Sequence, residues 1–569
     1  MRQNSTVDRR ALFIFSGVLA LCCAGQAPPP GGPPDTAPPT VIRTYPEGNT
    51  TGFRDQRIAL EFSEYVERRS VEESIFVSPA VSSLEFDWRG QEVEVRFGES
   101  LRPNVTYVVT LGTDVIDVRN RNHMAESFAL AFSTGMTLDS ASLRGKVYDP
   151  KPGGVTLFAF NLDDRLQDTL NPAVSRPDYV TQTGGDGSFK LDHLAWGTYR
   201  LFAVRDEYRN FLYDIQVDQI GMAAEDFELS SQNPAAEDIQ FRLTKEDTTH
   251  PFLLDAQAVD KNTLRVRFSE PIDPSDLSRG PFSVVDTIAN TQFSKREVYF
   301  PITSPAVCYV RTVSQDSTRW YRITAGDVRD TAGNIINPHV NSALMQGSSR
   351  ADTMPPQILV VSVQDSSRNV PYDASFGLVF SEGVRKKPFE LGFGLLDSSA
   401  HEVEGTFKWR NFTAVRFQPH TPLLPRAWYR IRLPLGSVQD FGGNQTKDSV
   451  FLRSFQTVDP RKLGSIRGRL EDPLEGDRTP LQITAQSISD KLAAPHVQTF
   501  SGAGPFSFEE LMEGQYVLSG FRDGDHTGNY SVGRSFPFTR SERFAIYPDT
   551  IKVRARWPVE GIILKFGKY

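Results

Sequence analysis

The sequence predicts an all-β protein, a series of tandem β-sandwich modules in an elongated array. Three observations predict it. Apolar and polar residues alternate with period two in run after run, as in Ile58, Leu60 and Phe62 or Leu264, Val266 and Phe268. Such alternation puts one strand face in a core and the other in water. An ordered set of landmarks recurs three times along the chain, which marks a repeat architecture. Finally, 42 Gly and 38 Pro in 569 residues supply the turns that many short strands need.

Composition narrows the class. At roughly 150 residues per domain the length suits about four domains, or more if the modules are small. Apolar residues make up 39% and aromatics 11%, enough for several cores and too much for wholesale disorder. Lys and Arg number 62 against 70 Asp and Glu, a net charge of -8. That balance excludes the basic footprint of a nucleic-acid binder.

The N-terminus reads as an address. Arg2, Arg9 and Arg10 precede an apolar run from Ala11 to Leu21, which ends at Cys22 and Cys23. A basic head with a short apolar stretch is a secretory signal, too short to cross about 30 Å of hydrocarbon as a helix. No later stretch approaches the 18 or so apolar residues of a membrane span. The segment resembles bacterial lipoprotein signals, in which a cysteine at the cleavage point is acylated. The resemblance implies residues 1–22 as signal and Cys23 as the lipid attachment point, with Cys22 the alternative. Ordinary cleavage near Ala24 would instead release a soluble product. Residues 23–37, with Pro28-Pro29-Pro30-Gly31-Gly32-Pro33-Pro34, read as an extended tether. Removing residues 1–22 takes away three Arg and one Asp, leaving 59 basic against 69 acidic residues and a charge of -10. An acidic body stands off anionic headgroups. Cys308 is then left alone, so no intrachain disulfide forms; in Val307-Cys308-Tyr309-Val310 it reads as a small buried strand residue.

Three segments, residues 38–136, 250–348 and 354–458, carry the recurring landmarks. The first shows Ile58-Ala59-Leu60-Glu61-Phe62-Ser63-Glu64, then Pro103-Asn104-Val105-Thr106-Tyr107, Asp117 to Asn122, and Phe132-Ser133-Thr134-Gly135. The second shows Phe268-Ser269-Glu270, Trp320-Tyr321-Arg322-Ile323 and Asp330-Thr331-Ala332-Gly333-Asn334. It shows no evident closing strand. The third shows Phe380-Ser381-Glu382, Trp428-Tyr429-Arg430-Ile431, Asp440-Phe441-Gly442-Gly443-Asn444 and Phe455-Gln456-Thr457. The Asp-x-x-Gly-Asn stretches are turns, since Asp accepts downstream backbone N–H groups and Gly and Asn tolerate positive φ. These landmarks resemble bacterial Ig-like domains of the S-layer type, which implies three Ig-like β-sandwiches on a cell surface.

Residues 141–245 and 463–569 follow a second plan. One reads Leu143-Arg144-Gly145-Lys146-Val147-Tyr148-Asp149, Gly185-Asp186-Gly187-Ser188-Phe189 and Gly197-Thr198-Tyr199. The other reads Ile466-Arg467-Gly468-Arg469-Leu470-Glu471-Asp472, Pro505-Phe506-Ser507-Phe508 and Gly514-Gln515-Tyr516, and ends in a strand from Gly561 to Phe566. This order resembles the transthyretin-like, or carboxypeptidase regulatory-like, β-sandwich.

Residues with chemistry are few and scattered. His401-x-x-Glu404 with distant His526 has the residue types of a zinc site, but it falls between strands in a repeat, where an exposed hairpin loop is expected. Asp523, Asp525 and Asn529 alternate as at the start of a calcium loop, yet Arg534 stands where position twelve needs Glu. Glu64, Glu270 and Glu382 recur after Phe-Ser and can meet Asp117, Asp330 and Asp440. Repetition in every copy speaks for structure, since an enzyme needs one such site. Trp88, Trp320, Trp409 and Trp428 are expected in cores or at sandwich edges; as sugar-stacking platforms, Trp88 and Trp409 would instead mark a glycan-binding or adhesin-type module. No nucleophile elbow, phosphate loop or His-Glu-x-x-His helix occurs.

The expectation is a non-enzymatic, lipid-anchored protein of the bacterial cell envelope, on the outer membrane, acting as a spacer and interaction scaffold. No catalytic, metal or cofactor residues are assigned and no cofactor is expected. Its partners are the membrane, through the anchor, and envelope proteins or glycans, but not nucleic acid.

Overall fold

A computed structural model describes residues 35–163, 165–446, 449–474, 476, 478–490 and 494–568. Strands hold 47% of the residues and helices 5%, an all-β molecule of tandem sandwiches. Each predicted alternating run is a strand. In the first module Arg57–Phe62 pairs antiparallel with Val41–Tyr45 and with Glu92–Phe97, and Leu84–Arg89 completes that sheet. Ile75–Ser78, Thr106–Leu111 and Phe128–Ser133 form the facing sheet. Ile58, Leu60 and Phe62 are buried between the two while Arg57 points outward.

The third and fourth modules repeat this plan with two four-stranded sheets each. Leu264, Val266 and Phe268 in one, and Phe376, Leu378 and Phe380 in the other, occupy the positions of Ile58, Leu60 and Phe62. Cys308 is fully buried in the third core, and burial pushes its thiol pKa up. The closing strand that the third module did not announce is Ser342–Gln346, paired with Trp320–Ala325.

One element escaped the periodicity. A short helix follows the Phe-Ser-Glu strand in all three copies: Arg68–Ser74, Pro274–Ser278 and Lys386–Gly392. These are too short to show a helical apolar stripe. Only Asp273, which accepts the Ser275 N–H at 2.7 Å ahead of Pro274, carries a helix-start signal.

A tyrosine locks the same corner in each of these modules. The hydroxyl of Tyr107 accepts the Arg102 N–H at 2.9 Å, that of Tyr321 the Asp316 N–H at 3.1 Å, and that of Tyr429 the Leu424 N–H at 2.9 Å. Each satisfies a backbone donor at a bend where no ladder partner is available.

The second and fifth modules share another topology: a three-stranded sheet facing a five-stranded one. Their closing strands, Ala235–Arg242 and Pro558–Lys565, run parallel to the opening strands Ala141–Tyr148 and Leu463–Glu471. Tyr199 and Tyr516 donate to the carbonyls of Ala195 and Met512, both at 3.0 Å. The Asp149 carboxylate meets Arg205 at 2.8 Å, and Asp472 meets Arg522 at 2.8 Å, so the end of each opening strand is tied to a strand of the facing sheet. Gly187, at φ +84°, makes the Asp186-Gly187 turn; a Cβ there would lie 2.4 Å from the Val147 carbonyl oxygen.

The modules also contact one another. Phe76 packs edge-on against Phe211 between the first and second. Phe441 lies against Tyr299 and under Arg311 between the third and fourth. Lys462 donates to Asn369 at 3.1 Å between the fourth and fifth. Beyond these neighbour contacts, the loop of residues 523–543 in the fifth module reaches the second. Phe538 sits 3.7 Å from the Arg200 guanidinium and edge-on to Phe202. Ser535 donates its N–H and hydroxyl to Glu246, Ser541 donates its hydroxyl to the Met222 carbonyl, and Arg540 reaches Asp226. Arg534 of the same loop donates to Ala332 in the third module. The second to fifth modules therefore close a circuit of contacts.

Candidate functional site

The recurring Glu and Asp residues do meet. Val66, Ile272 and Val384, just beyond each Phe-Ser-Glu, bridge to Asp117, Asp330 and Asp440, which brings the late turn beside the strand end. Asp330 accepts the Ala332 and Asn334 N–H groups, both at 2.8 Å, and Asp440 accepts the Asn444 N–H at 2.8 Å. Gly333 and Gly443 turn the chain there at φ +90° and +87°. In the first module Arg121 takes that position at φ +60°, with Asp117 accepting from Asn120, Arg121 and Asn122.

Sequence reasoning missed a third carboxylate. Asp247 joins Glu270 and Asp330, and Asp352 joins Glu382 and Asp440; in each group one oxygen per residue lies within 4.8 Å of the others. The turn asparagines hold these entry residues by their backbones: Asn122, Asn334 and Asn444 donate to the carbonyls of Asp35, Asp247 and Asp352 at 3.0, 2.9 and 3.2 Å. A signal was available. Asp35-Thr36-Ala37-Pro38-Pro39, Asp247-Thr248-Thr249-His250-Pro251 and Asp352-Thr353-Met354-Pro355-Pro356 are one recurring entry, hidden by reading the prolines as linker.

Burial and crowding raise the central glutamates. Burial, with Asp247 and Asp330 beside it, pushes Glu270 up to about 7. Burial, then Asp352, Asp440 and Asp260, pushes Glu382 up to about 8. Glu64 moves the same way through burial, Asp117 and Asp35. Three oxygen ligands at this spacing can share protons or face a hard cation. They stand at module entries.

Two further carboxylate groups lie in loops. Asp523 and Asp525 are joined by Glu542 from downstream, not by a residue at position twelve. Most of their oxygens are spent on the backbone: Asp523 accepts the Thr527 and Gly528 N–H groups, and Glu542 accepts those of Gly524 and Ser531. Asp206, Asp214 and Asp218 form the matching group in the second module. There Asp206 accepts from Asn210 and Phe211, and Asp218 from Glu207 and Asp214.

The structure separates the other candidates. His401 is exposed and faces Asp397 at 3.4 Å, while Glu404 faces His420 at 4.0 Å. Among the described residues no metal-capable group includes His401, Glu404 or His526. Trp88 and Trp409 occupy equivalent places, stacked on Phe62 and Phe380 with their indole N–H groups given to Glu72 and Glu390. Trp320 and Trp428 are half-exposed on the outward faces of Trp320–Ala325 and Trp428–Pro434, each an inner strand of its sheet and not an edge. Cys22 and Cys23 lie outside the described residues.

Comparison with known proteins agrees with the first and third landmark sets: residues 35–134 and 352–457 match the bacterial Ig-like domain family. Among solved structures, the N-terminal part of the bacterial S-layer protein SbsC is 12% identical at a TM-score of 0.17, covering 36% of this chain and 44% of that one. This chain thus spans less than half of that relative. Domains 1–6 of the surface layer protein SbsC are 7% identical at a TM-score of 0.16, covering 91% and 67%. The Bacillus anthracis TIE protein is 9% identical at a TM-score of 0.13, covering 95% and 76%. Among curated proteins none matches the chain.

Proposed function

Starting from bacterial Ig-like domains at residues 35–134 and 352–457, we propose that the chain is a non-enzymatic, lipid-anchored protein of the bacterial cell envelope that spaces and displays its modules. The observation that carries this reading is the placement of its polar chemistry. Carboxylate groups recur at the same point of successive modules, holding turns and entries, where catalysis would call for one cleft with unlike groups in unlike environments. Each module meanwhile has its own apolar core. Trp88 and Trp409, the residues a glycan-binding reading would use, have one ring face against a core phenylalanine.

The basic head, short apolar run and Cys23 ahead of a proline-rich stretch support the anchor. Several acyl chains, at about 0.8 kcal/mol per buried CH₂, hold a protein on a bilayer stably. The test is palmitate labelling of the full chain in a bacterial host, with membrane fractionation. Label is expected on wild type and Cys22→Ser, and should vanish with Cys23→Ser. An unlabelled wild-type chain recovered in the soluble fraction would end the proposal.

A further inference from the structure

Between the third and fourth modules lies a cavity of about 330 Å³ whose charges face one another without pairing. Arg311, Arg296, Lys261 and Asp260 line it from the third module, Asp352 and Glu382 from the fourth. Arg311 is only 9% exposed, yet its Nε is buried with no hydrogen-bond partner, and among the described residues no carboxylate comes within ion-pair distance of it. Its guanidinium carbon lies 4.8 Å from the Phe441 ring centroid, a cation–π contact that leaves its N–H groups for an acceptor. A buried guanidinium is costly unless an anion meets it. Asp260, which could have swung toward it, accepts the Asn262 N–H at 2.7 Å.

The site is particular to this junction. By strand register Arg311 stands opposite Thr263 as Arg96 stands opposite Arg57 in the first module. Arg96 there is exposed and paired with Glu94 at 2.8 Å. The same count along the fourth module reaches Gln418, beside Phe417, which pairs with Phe376. A general need of the fold does not explain a buried, unpaired arginine at one copy alone.

A pure anion would meet the carboxyl groups of Asp260, Asp352 and Glu382, of which Glu382 keeps its proton until a cation displaces it, and a pure cation would leave the buried Arg311 unanswered. We propose that this cavity binds a small zwitterion, an amino acid or short peptide, with its carboxylate on Arg311 and its ammonium group on Glu382 and Asp352. The volume suits a ligand of that size.

The test is isothermal titration calorimetry of the mature chain with L-alanyl-L-alanine, its N-acetyl form, its C-terminal amide, and calcium chloride. The free dipeptide is expected to bind, and each blocked form to bind about tenfold more weakly or worse, since each loses one charge-assisted contact. Arg311→Gln should weaken the free dipeptide by a similar factor, whereas Arg96→Gln should not; circular dichroism of both variants checks folding. Because the blocked ligands are compared on wild type, a misfolded variant does not spoil the test. Equal binding of free and blocked dipeptides, or no heat from the free one up to about 10 mM, would overturn the proposal. Binding of calcium alone would overturn it too and assign the carboxylates to a metal.

Discussion

Phe538→Ala should open the contact between the fifth and second modules while leaving both cores intact. The ring is half-buried, 3.7 Å from the Arg200 guanidinium and 5.8 Å from the Phe202 centroid. Truncating a fully buried phenylalanine costs about 3–5 kcal/mol. Half that burial, with a partly desolvated cation–π contact included, gives roughly 2 kcal/mol. The loss falls on a local opening, so it is read by native-state hydrogen exchange at Ser535, whose N–H is held by Glu246 at 2.7 Å across the interface. Two kcal/mol less protection is about thirtyfold faster exchange. Phe536, two residues away and exposed, is the control, and its alanine variant should exchange at nearly the wild-type rate. A change below about threefold in Phe538→Ala would mean that the ring does not hold the loop, and the packing argument would fail.

Other predictions concern single modules. Tyr429→Phe keeps the ring but strands the Leu424 N–H, and should destabilise the fourth module by about 1 kcal/mol in urea unfolding; Tyr321→Phe should do the same to the third. Glu382 ordinarily titrates at 4.5 and is raised to about 8 in the fold, so between those values the folded state holds a proton that the unfolded chain has released. Stability should therefore fall as pH rises through that window, by on the order of 2 kcal/mol after discounting for partial exposure, and Glu382→Gln should flatten the profile of urea midpoints. Cys308, buried with a raised thiol pKa, should resist a thiol reagent in the native protein and react once denaturant is added.

Much of the fold was legible because strand burial writes itself into alternation. Leu264, Val266 and Phe268 could be assigned to a core from spacing alone, and Tyr107, Tyr321 and Tyr429 repeat because each closes the same corner. The pairing of Glu270 with Asp330 and of Glu382 with Asp440 was legible through repetition, but the third member was not. Asp247 and Asp352 stand ahead of prolines in stretches without periodicity, and their role appears only when Asn334 and Asn444 draw them in. The helices Arg68–Ser74, Pro274–Ser278 and Lys386–Gly392 were silent because two turns or fewer leave no period to read. Glu542 lies outside any local loop motif, so its place beside Asp523 and Asp525 depends on a return of the chain that spacing does not encode. Least legible was Phe538: nothing in one β-sandwich announces the face of another three modules away.

That embrace of the second module by the fifth changes what happens when the molecule is stretched. Tension drawn between the first module and the carboxyl-terminal strand would run straight across from Arg200 to Phe538, leaving the third and fourth modules slack. When the Glu246–Ser535 and Asp226–Arg540 bonds give way, that slack is released at once as hidden length, before any sandwich has to unravel.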